Sequence, residues 1–472
     1  MIEKQDANNS TEKSPHSVES WGCTASDMGA KTATCCSDDD STGCPSGYQC
    51  RMHGDDSTEK SRYDCVRYNQ SNDPFLAVLP RYRLCPAEES NRKLYGLTVP
   101  SNASQSTKIA YYSNLGPIQC YDDAKECNEP LSSQVQMALI VVHGANRNAD
   151  DYFCSAKATI GLQDRYPPSS VLVITPFFAM TPPSTNQTDA STFFYWNDTD
   201  DQDGSWRYGA DSTGPTRVSS FATMDAIIES LQSRHPNLQT ITIAGHSSGG
   251  QFVQRWSLLT PIWPNADDRI QIRAIVANPS NYAYLTPLRF FETQTTTTST
   301  TRMLHKESNK YHWKVPMDLQ EDCPQYNQWE WGLDDGGDMD VPYRQQVMAK
   351  EGKSAIVGRY LFHRSVIYLI GNLDRCSEGE TNQQALVHCE SHGLETTCAD
   401  ELQGRNRYER HLRYWASLEL VAAKHNRETN AGLEPLRSSH KHRRMVVPNV
   451  GHDHSMMFQS QEGIEAIYYD SK

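Results

Sequence analysis

From about residue 85 onward, short continuous apolar runs alternate with longer amphipathic stretches. The runs are Ile109–Tyr112, Met137–Val142, Val171–Thr175, Thr240–Ala244, Ile272–Ala277, Val366–Ile370 and Met445–Val447. Runs of this kind suit strands buried on both faces of a parallel sheet. Between them, Ser219–Ser233 places Phe221, Met224, Ile227, Ile228 and Leu231 along one face of a helix. Strands alternating with helices predict a layered α/β fold with a mostly parallel sheet. Ligands of such sheets bind beyond the carboxyl ends of the strands.

The first 84 residues have a different pattern. Residues 1–20 are polar, rich in Ser and Asn, and read as a disordered leader. Residues 21–84 read as a cysteine-rich disulfide module and its linker, and residues 85–472 as the α/β domain. Cys23, Cys35, Cys36, Cys44, Cys50 and Cys65 fall in a stretch with almost no aliphatic residues. Three disulfides would have to hold it, with about 15 possible pairings. Its CC…CPSGYQC segment resembles granulin-like or knottin-like modules over one loop. Zinc is the other use of dense cysteine, but no C-x-x-C pair occurs there.

Composition narrows the setting. Hydrophobic residues make up 37% of the chain and mean hydropathy is −0.68, so polar segments dilute a real core. A formal charge of −14 argues against binding nucleic acid or an anionic membrane by bulk electrostatics. No apolar run approaches the roughly 18 residues of a membrane span. The 14 cysteines, with glycosylation sequons at Asn8, Asn9, Asn69, Asn102, Asn186 and Asn197, predict an oxidising compartment, secreted or endomembrane-lumenal. Met1–Asp6 opens a polar stretch with no apolar signal core, so either a secretion signal is missing from this sequence, which is the favoured expectation, or the protein is not secreted.

Candidate chemistry centres on residues 240–250, TITIAGHSSGG. Here an apolar run ends in Gly245-His246-Ser247-Ser248-Gly249, a G-x-S-x-G pentapeptide, and a helix-compatible segment follows. A sharp strand-to-helix turn strains its central residue and exposes the side chain, which makes Ser247 a candidate nucleophile. Gly245 and Gly249 are expected to flank it because a Cβ there would strike a neighbouring strand or helix.

A serine hydroxyl needs a base to take its proton and a carboxylate to orient that base. The expected chain order is Ser, acid, His. Val366–Ile370 leads into Gly371-Asn372-Leu373-Asp374, and Met445–Val447 leads into Pro448-Asn449-Val450-Gly451-His452. Asp374 and His452 are therefore the candidate acid and base. Glu378 and Asp400 are rival acids further from a strand end. His454 is a rival base that can instead begin a helix, and His440 and His442 read as part of a solvated basic face, HKHRR. The developing oxyanion needs donors. The Ser248 N–H supplies one candidate, and the loop after Met137–Val142, His143-Gly144-Ala145, supplies Ala145 with Gly144 close behind.

The segments VVHGANRNADDYF, AGHSSGGQFVQRW, IGNLD and VPNVGHDHSMMF resemble the α/β-hydrolase superfamily, in particular secreted-type serine hydrolases of fungi and other microbes. The resemblance spans roughly residues 100–470. It implies a three-layer α/β-hydrolase fold, Ser247 as nucleophile, Asp374 as acid, His452 as base, and an oxyanion hole at Ala145 and Ser248. In such a fold, an insertion at residues 283–365 would act as a cap, with the Tyr326/Trp329/Trp331 part as its buried face. The small cysteine-rich front module departs from the hydrolase pattern.

No metal or cofactor is expected. The acidic run Asp198–Gly204 reads as a solvated loop, since a calcium-loop register from Thr199 would need Glu where Ala210 stands. Neither a P-loop nor an H-E-x-x-H motif occurs. The function expected is hydrolysis of a carboxylic ester, less readily an amide, on a small or polymeric substrate. The alternative is a hydrolase-like scaffold kept for binding, with the cysteine-rich module docking a polymer or protein.

Overall fold

The computed structural model describes residues 21–23, 48–53, 62–67, 94–100, 107–118, 133–183, 192–197, 205–264, 268–292, 311–316, 322–335, 341–376, 393–429 and 440–469. The acidic run 198–204, the Thr-rich segment 293–302, Glu378 and the disulfide pairing expected in residues 21–66 lie outside them. The chain divides into two compact units, Met1–Arg81 and Tyr82–Lys472. In the first, β1 (Trp21–Cys23), β2 (Tyr48–His53) and β3 (Arg62–Arg67) form an antiparallel sheet in the order β1-β3-β2, with Cys50 opposite Cys65 in register.

The second unit is built on an eight-stranded sheet. Its strands are β4 (Leu94–Val99), β5 (Thr107–Ser113), β6 (Met137–Val142), β7 (Val171–Phe177), β8 (Thr240–His246), β9 (Gln271–Ala277), β12 (Ser365–Gly371) and β13 (Arg443–Val447). A separate hairpin pairs β10 (Arg289–Glu292) with β11 (Tyr311–Lys314). The main sheet runs β13-β12-β9-β8-β6-β7-β5-β4. From β13 to β7 every pairing is parallel, whereas β5 pairs antiparallel with β7 and with β4. Each apolar run in this unit is therefore a strand, but Ile109–Tyr112 is antiparallel. Its strand belongs to an edge hairpin with Leu94–Val99, which carries Gly96 and Thr98 and has no continuous apolar run.

Alternation divides the sheet between two cores. Ala138, Ile140 and Val142 pack on one face with Phe221, Ile227 and Phe252, and Met137, Leu139 and Val141 pack on the other with Phe153, Phe458 and Ile467. Successive strand side chains point to opposite faces, so a fully apolar strand such as β6 serves both layers. Helix α1 (Ala149–Thr159) covers the second face, and α2 (Ser220–Arg234) and α3 (Ser248–Leu259) the first. Ser219 caps α2 by accepting from the Phe221 N–H at 3.1 Å.

Residues 283–365 divide between two roles. The helices α4 (Pro342–Glu351) and α5 (Lys353–His363) pack into the first core through Val347, Ile356, Tyr360 and Leu361. Residues 322–335 lie against α3 and the 205–208 turn: Trp329 Nε1 donates to the Tyr208 carbonyl at 3.0 Å, and Arg255 Nε donates to the Glu330 carbonyl at 3.2 Å. A disulfide between Cys323 and Cys398 ties this segment to α6 (Cys398–Glu401), which precedes α7 (Arg407–Thr429). The chain closes with α8 (His454–Gln459) and α9 (Gln461–Tyr468). His442 is buried rather than solvated: its Nε2 lies 2.7 Å from the Tyr360 carbonyl and its ring packs edge-on against Tyr360. The basic stretch leads directly into β13, and α5 covers its start.

Asp225 joins the layers on the first face. It accepts hydrogen bonds from Trp256 Nε1 at 2.8 Å, Thr260 Oγ1 at 2.8 Å and the Tyr343 hydroxyl at 2.6 Å. Burial raises its pKa from 3.8 to about 6, against those hydrogen bonds, which lower it. The folded chain therefore holds a proton that the unfolded chain releases, and this contribution to stability is lost as pH rises from about 4 to about 6. That interval corresponds to about 3 kcal/mol. Asp225→Asn keeps the side-chain shape, and its urea-unfolding free energy is expected to lack that decline. Identical pH slopes for variant and wild type would refute the assignment.

Candidate active site

The carboxyl ends of five neighbouring strands lie side by side. Val142 is in register with Gly245, His246 with Ala277, Ala277 with Leu369, and Gly371 with Val447. Strand order reverses around β6 and β8, because β7 lies on one side of that pair and β9 on the other. A crevice opens at such a point. Ser247 follows β8, the Gly144 loop follows β6, Asp374 follows β12 and His452 follows β13.

Ser247 has φ 58° and ψ −124°, a left-handed conformation rare for a residue with a Cβ. Its N–H donates to the Ala277 carbonyl at 3.0 Å, and its own carbonyl accepts from the Gln251 N–H at 3.0 Å. A Cβ on Gly245 would lie 2.0 Å from the Gly249 carbonyl oxygen, and one on Gly249 would lie 2.2 Å from that of Val142. The expected collisions are present, with helix α3 and strand β6 respectively. Gly250 is a third: a Cβ there would lie 2.6 Å from the Ala277 oxygen.

His452 Nδ1 lies 2.8 Å from Asp374 Oδ2. The Asp374 side chain is 1% exposed, with Arg407 Nη1 at 3.7 Å from its other oxygen. Burial alone would raise the Asp374 pKa. The charges of His452 and Arg407, with hydrogen bonds from His452 and Asn278, overcome that and hold it below the usual carboxylate range. Of the rivals among the described residues, Asp400 and His454, neither takes this place. Asp400 bonds instead to Asn281, Trp331 and Thr397. His454 begins α8 and stacks on Tyr152 at 3.9 Å between ring centroids. The His452 ring sits 4.5 Å from that of His246, the residue before Ser247.

Several residues that organise the site carry no motif. Asn278 follows β9 with φ 43°. Its Nδ2 donates to the Gly451 carbonyl at 2.8 Å, and its Oδ1 accepts from the Gly371 N–H at 3.0 Å. One side chain thus clamps the acid loop to the histidine loop. Under the Gly144–Ala145 loop, His143 is buried. Nδ1 lies 2.8 Å from the Gly144 carbonyl while Nε2 accepts from the Phe178 N–H at 3.1 Å, which fixes the Nδ1–H tautomer. Burial first, then Arg147, brings its pKa to about 3 despite the Gly144 bond, so the ring is neutral. Tyr152 reaches from α1 to within 3.1 Å of His246 Nδ1. Its hydroxyl also lies where a Gly144 Cβ would be, 2.8 Å away, so Gly144 is a close-approach position. Ala145 is exposed at the turn, and Ser248 is buried at the start of α3.

A strained serine between strand and helix, followed along the chain by a carboxylate–imidazole pair at the ends of β12 and β13, defines the architecture. This is an α/β-hydrolase fold. Neither a family model nor a curated protein matches the sequence. Among solved structures, the chain is similar to the poly(3-hydroxybutyrate) depolymerase LpqC of Bordetella parapertussis at 16% identity, covering 79% of this chain and 88% of that one, TM-score 0.44. It is similar to poly(aspartic acid) hydrolase-1 of Sphingomonas sp. KT-1 at 19% identity, over 80% and 99% of the two chains, TM-score 0.44. It is also similar to the siderophore hydrolase EstB of Aspergillus nidulans at 12% identity, over 80% and 95%, TM-score 0.35.

Among the described residues no group of His, Cys, Asp and Glu is arranged to hold a metal ion, and no helix is long and apolar enough to cross a membrane. A cavity of about 760 Å³ between α5 and α7, lined by Gly352, Arg359, Phe362 and His425, contains none of the candidate residues.

The elbow contacts make a sharp prediction. Gly249→Ala drives a methyl into the Val142 carbonyl and is expected to lower stability by about 3 kcal/mol. Gly161→Ala, with nothing within 4 Å of its added Cβ, is the matched control. Thermal melts of the two proteins compare them, and equal melting temperatures would overturn the close-packing argument.

Proposed function

We propose that the protein is a serine hydrolase that cleaves a carboxylic ester through an acyl-enzyme intermediate. The observation that carries this reading is the left-handed Ser247 at the β8–α3 turn, in the same row of strand ends as the 2.8 Å pair of His452 and Asp374. In this reading His452 takes the Ser247 proton as the hydroxyl attacks the ester carbonyl, and then delivers it to the departing alcohol. Water repeats the sequence to release the acid and restore Ser247. Asp374 holds Nδ1–H of the imidazole, which leaves Nε2 as the base, and stabilises the imidazolium formed in each half-reaction. The Ser248 and Ala145 N–H groups are the proposed oxyanion donors, with Gly144 beside them.

The pieces around the triad support the same reading. Asn278 holds the acid and histidine loops at a fixed separation, and reactions of this kind depend on such positioning. Residues 322–335 on α3 fit the role of a partial cap. Cys323 and Cys398, with Cys154 and Cys376 also in disulfides, favour a secreted or lumenal protein. The cysteine-rich unit is proposed to dock a polymer or protein partner.

A fluorophosphonate probe tests the nucleophile directly. Wild-type protein is expected to label and Ser247→Ala not to label. A wild type that neither labels nor turns over short-chain aryl esters would favour the alternative of a hydrolase-like binding protein. Asp374→Asn leaves the His452 contact in place but favours the wrong tautomer, so kcat is expected to fall by about 10³–10⁴-fold with KM little changed. A fall of less than about tenfold would remove Asp374 from the triad.

A further inference from the structure

All twelve residues of α3 are buried, yet one of its faces is strongly polar. Ser248, Gln251 and Arg255, spaced three and four apart, lie on that face. Gln251 Nε2 donates to Asn281 Oδ1 at 2.9 Å and to Glu395 Oε2 at 2.7 Å. Arg255 Nη2 donates to Asn281 Oδ1 at 2.5 Å and lies 3.8 Å from Glu330 Oε2. Beside the nucleophile, Arg207 Nη1 donates to Ser248 Oγ at 3.1 Å, and Arg207 Nη2 pairs with Glu395 Oε1 at 2.5 Å.

This ion pair differs from the rest of the network in two ways. First, it reaches solvent: the Arg207 and Glu395 side chains are 15% and 19% exposed, against 0% and 5% for Arg255 and Glu330 beneath. Second, it is held rigidly. Glu395 Oε2 also accepts from Asn281 Nδ2 at 2.6 Å, and the Glu395 N–H donates to Ser280 Oγ at 2.8 Å. Below it, Gln251 Oε1, Arg255 Nη1 and Glu330 Oε2 are buried without a hydrogen bond. Buried polar atoms of this kind call for a partner from water or a ligand.

We propose that Arg207 and Glu395 are the specificity-determining pair for the acyl group, and that this group carries an uncharged hydroxyl near the ester carbonyl: the substrate is a hydroxyacyl ester. The proposal rests on the serine-hydrolase reading above. Its chemistry follows from what the pair offers. A guanidinium only donates and a carboxylate only accepts. A hydroxyl does both and can bond to the two together at their solvent-facing edge. A substrate carboxylate would be attracted by Arg207 and repelled by Glu395, and a substrate ammonium would meet the reverse. A methyl would strip water from both charges and return nothing. Arg207 bonds to the side chain of Ser248, the residue after Ser247, and the proposal accordingly puts the recognised group within a few bonds of the reacting carbonyl.

The test compares kcat/KM for ethyl 3-hydroxybutyrate, ethyl butyrate, monoethyl succinate and the ethyl ester of β-alanine, measured by acid release. Wild type is expected to favour the hydroxy ester over butyrate by about 10–100-fold, since a site built to bind a hydroxyl rejects the analogue lacking it. Arg207→Met is expected to reduce that ratio to near one, with Arg207→Lys keeping part of it. Glu395→Gln should move preference toward monoethyl succinate. These are ratios within one protein sample, so a smaller folded fraction cancels. A wild type that hydrolyses butyrate as well as the hydroxy ester, or prefers either charged ester, overturns the proposal while fluorophosphonate labelling leaves the hydrolase reading standing. So does a ratio unmoved by Arg207→Met. Absence of both labelling and turnover removes the hydrolase reading, and this proposal with it.

Discussion

Everything at this site depends on how closely helix α3 is set against strands β8 and β6. With under 3 Å between the positions of absent Cβ atoms and carbonyl oxygens at Gly245 and Gly249, the turn between β8 and α3 has no room to relax. Ser247 is therefore held at a positive φ that costs on the order of 1–3 kcal/mol, and only well-packed surroundings sustain such a residue. The β8 strand supplies them: every residue from Thr240 to His246 is buried. The stability of the sheet keeps the serine where it is.

The same geometry explains why distant residues converge. Parallel strands in register bring their carboxyl ends to one rim, so residues far apart in sequence meet without any special loop. Asp374 and His452 are 78 positions apart, yet they bond because β12 and β13 are neighbours. Asn278 reinforces the rim from the strand between the serine and the acid. Its backbone N–H takes the Leu369 carbonyl at 3.1 Å, and its side chain takes both loops beyond. A change at Asn278 would therefore disturb acid and base together.

The fold and the core of the site were legible because both are written in local patterns. Continuous apolar runs mark doubly buried strands, and the pentapeptide marks a turn whose glycines have a steric reason. Asp374 and His452 stood out as candidates because each follows such a run, and the structure sets them 2.8 Å apart. The edge hairpin was harder. Leu94–Val99 is paired on one side only and partly exposed, so it lacks the continuous run of an interior strand. His442 was misread for a related reason. Its neighbours are basic and the segment looks solvated, but helix α5 packs over it. The polar network on α3 had no sequence signature at all. Gln251, Arg255, Glu330 and Glu395 come from three separate segments, and nothing local announces that they meet.

That network shows what a fully buried helix demands. Carrying Ser248, Gln251, Gln254 and Arg255 into the interior strips each of water, which is favourable only if partners replace it. Gln254 is met by Ala283 and Tyr414, and Gln251 by Asn281 and Glu395. Glu330 resolves the problem differently: burial, then the nearby Glu395, push its pKa well above the usual carboxylate range. Glu395 goes the other way, since Arg207 and Arg255 outweigh its burial and keep it ionised. Two carboxyl groups in one cluster are thus shifted in opposite directions, and the one shifted down is the one paired at the solvent edge beside Ser248. The geometry of that charge pair is set by the fold, because its partners are already in place. The Cys323–Cys398 disulfide helps to fix this arrangement, since it joins the segment that bears Glu330 to the one that follows Glu395.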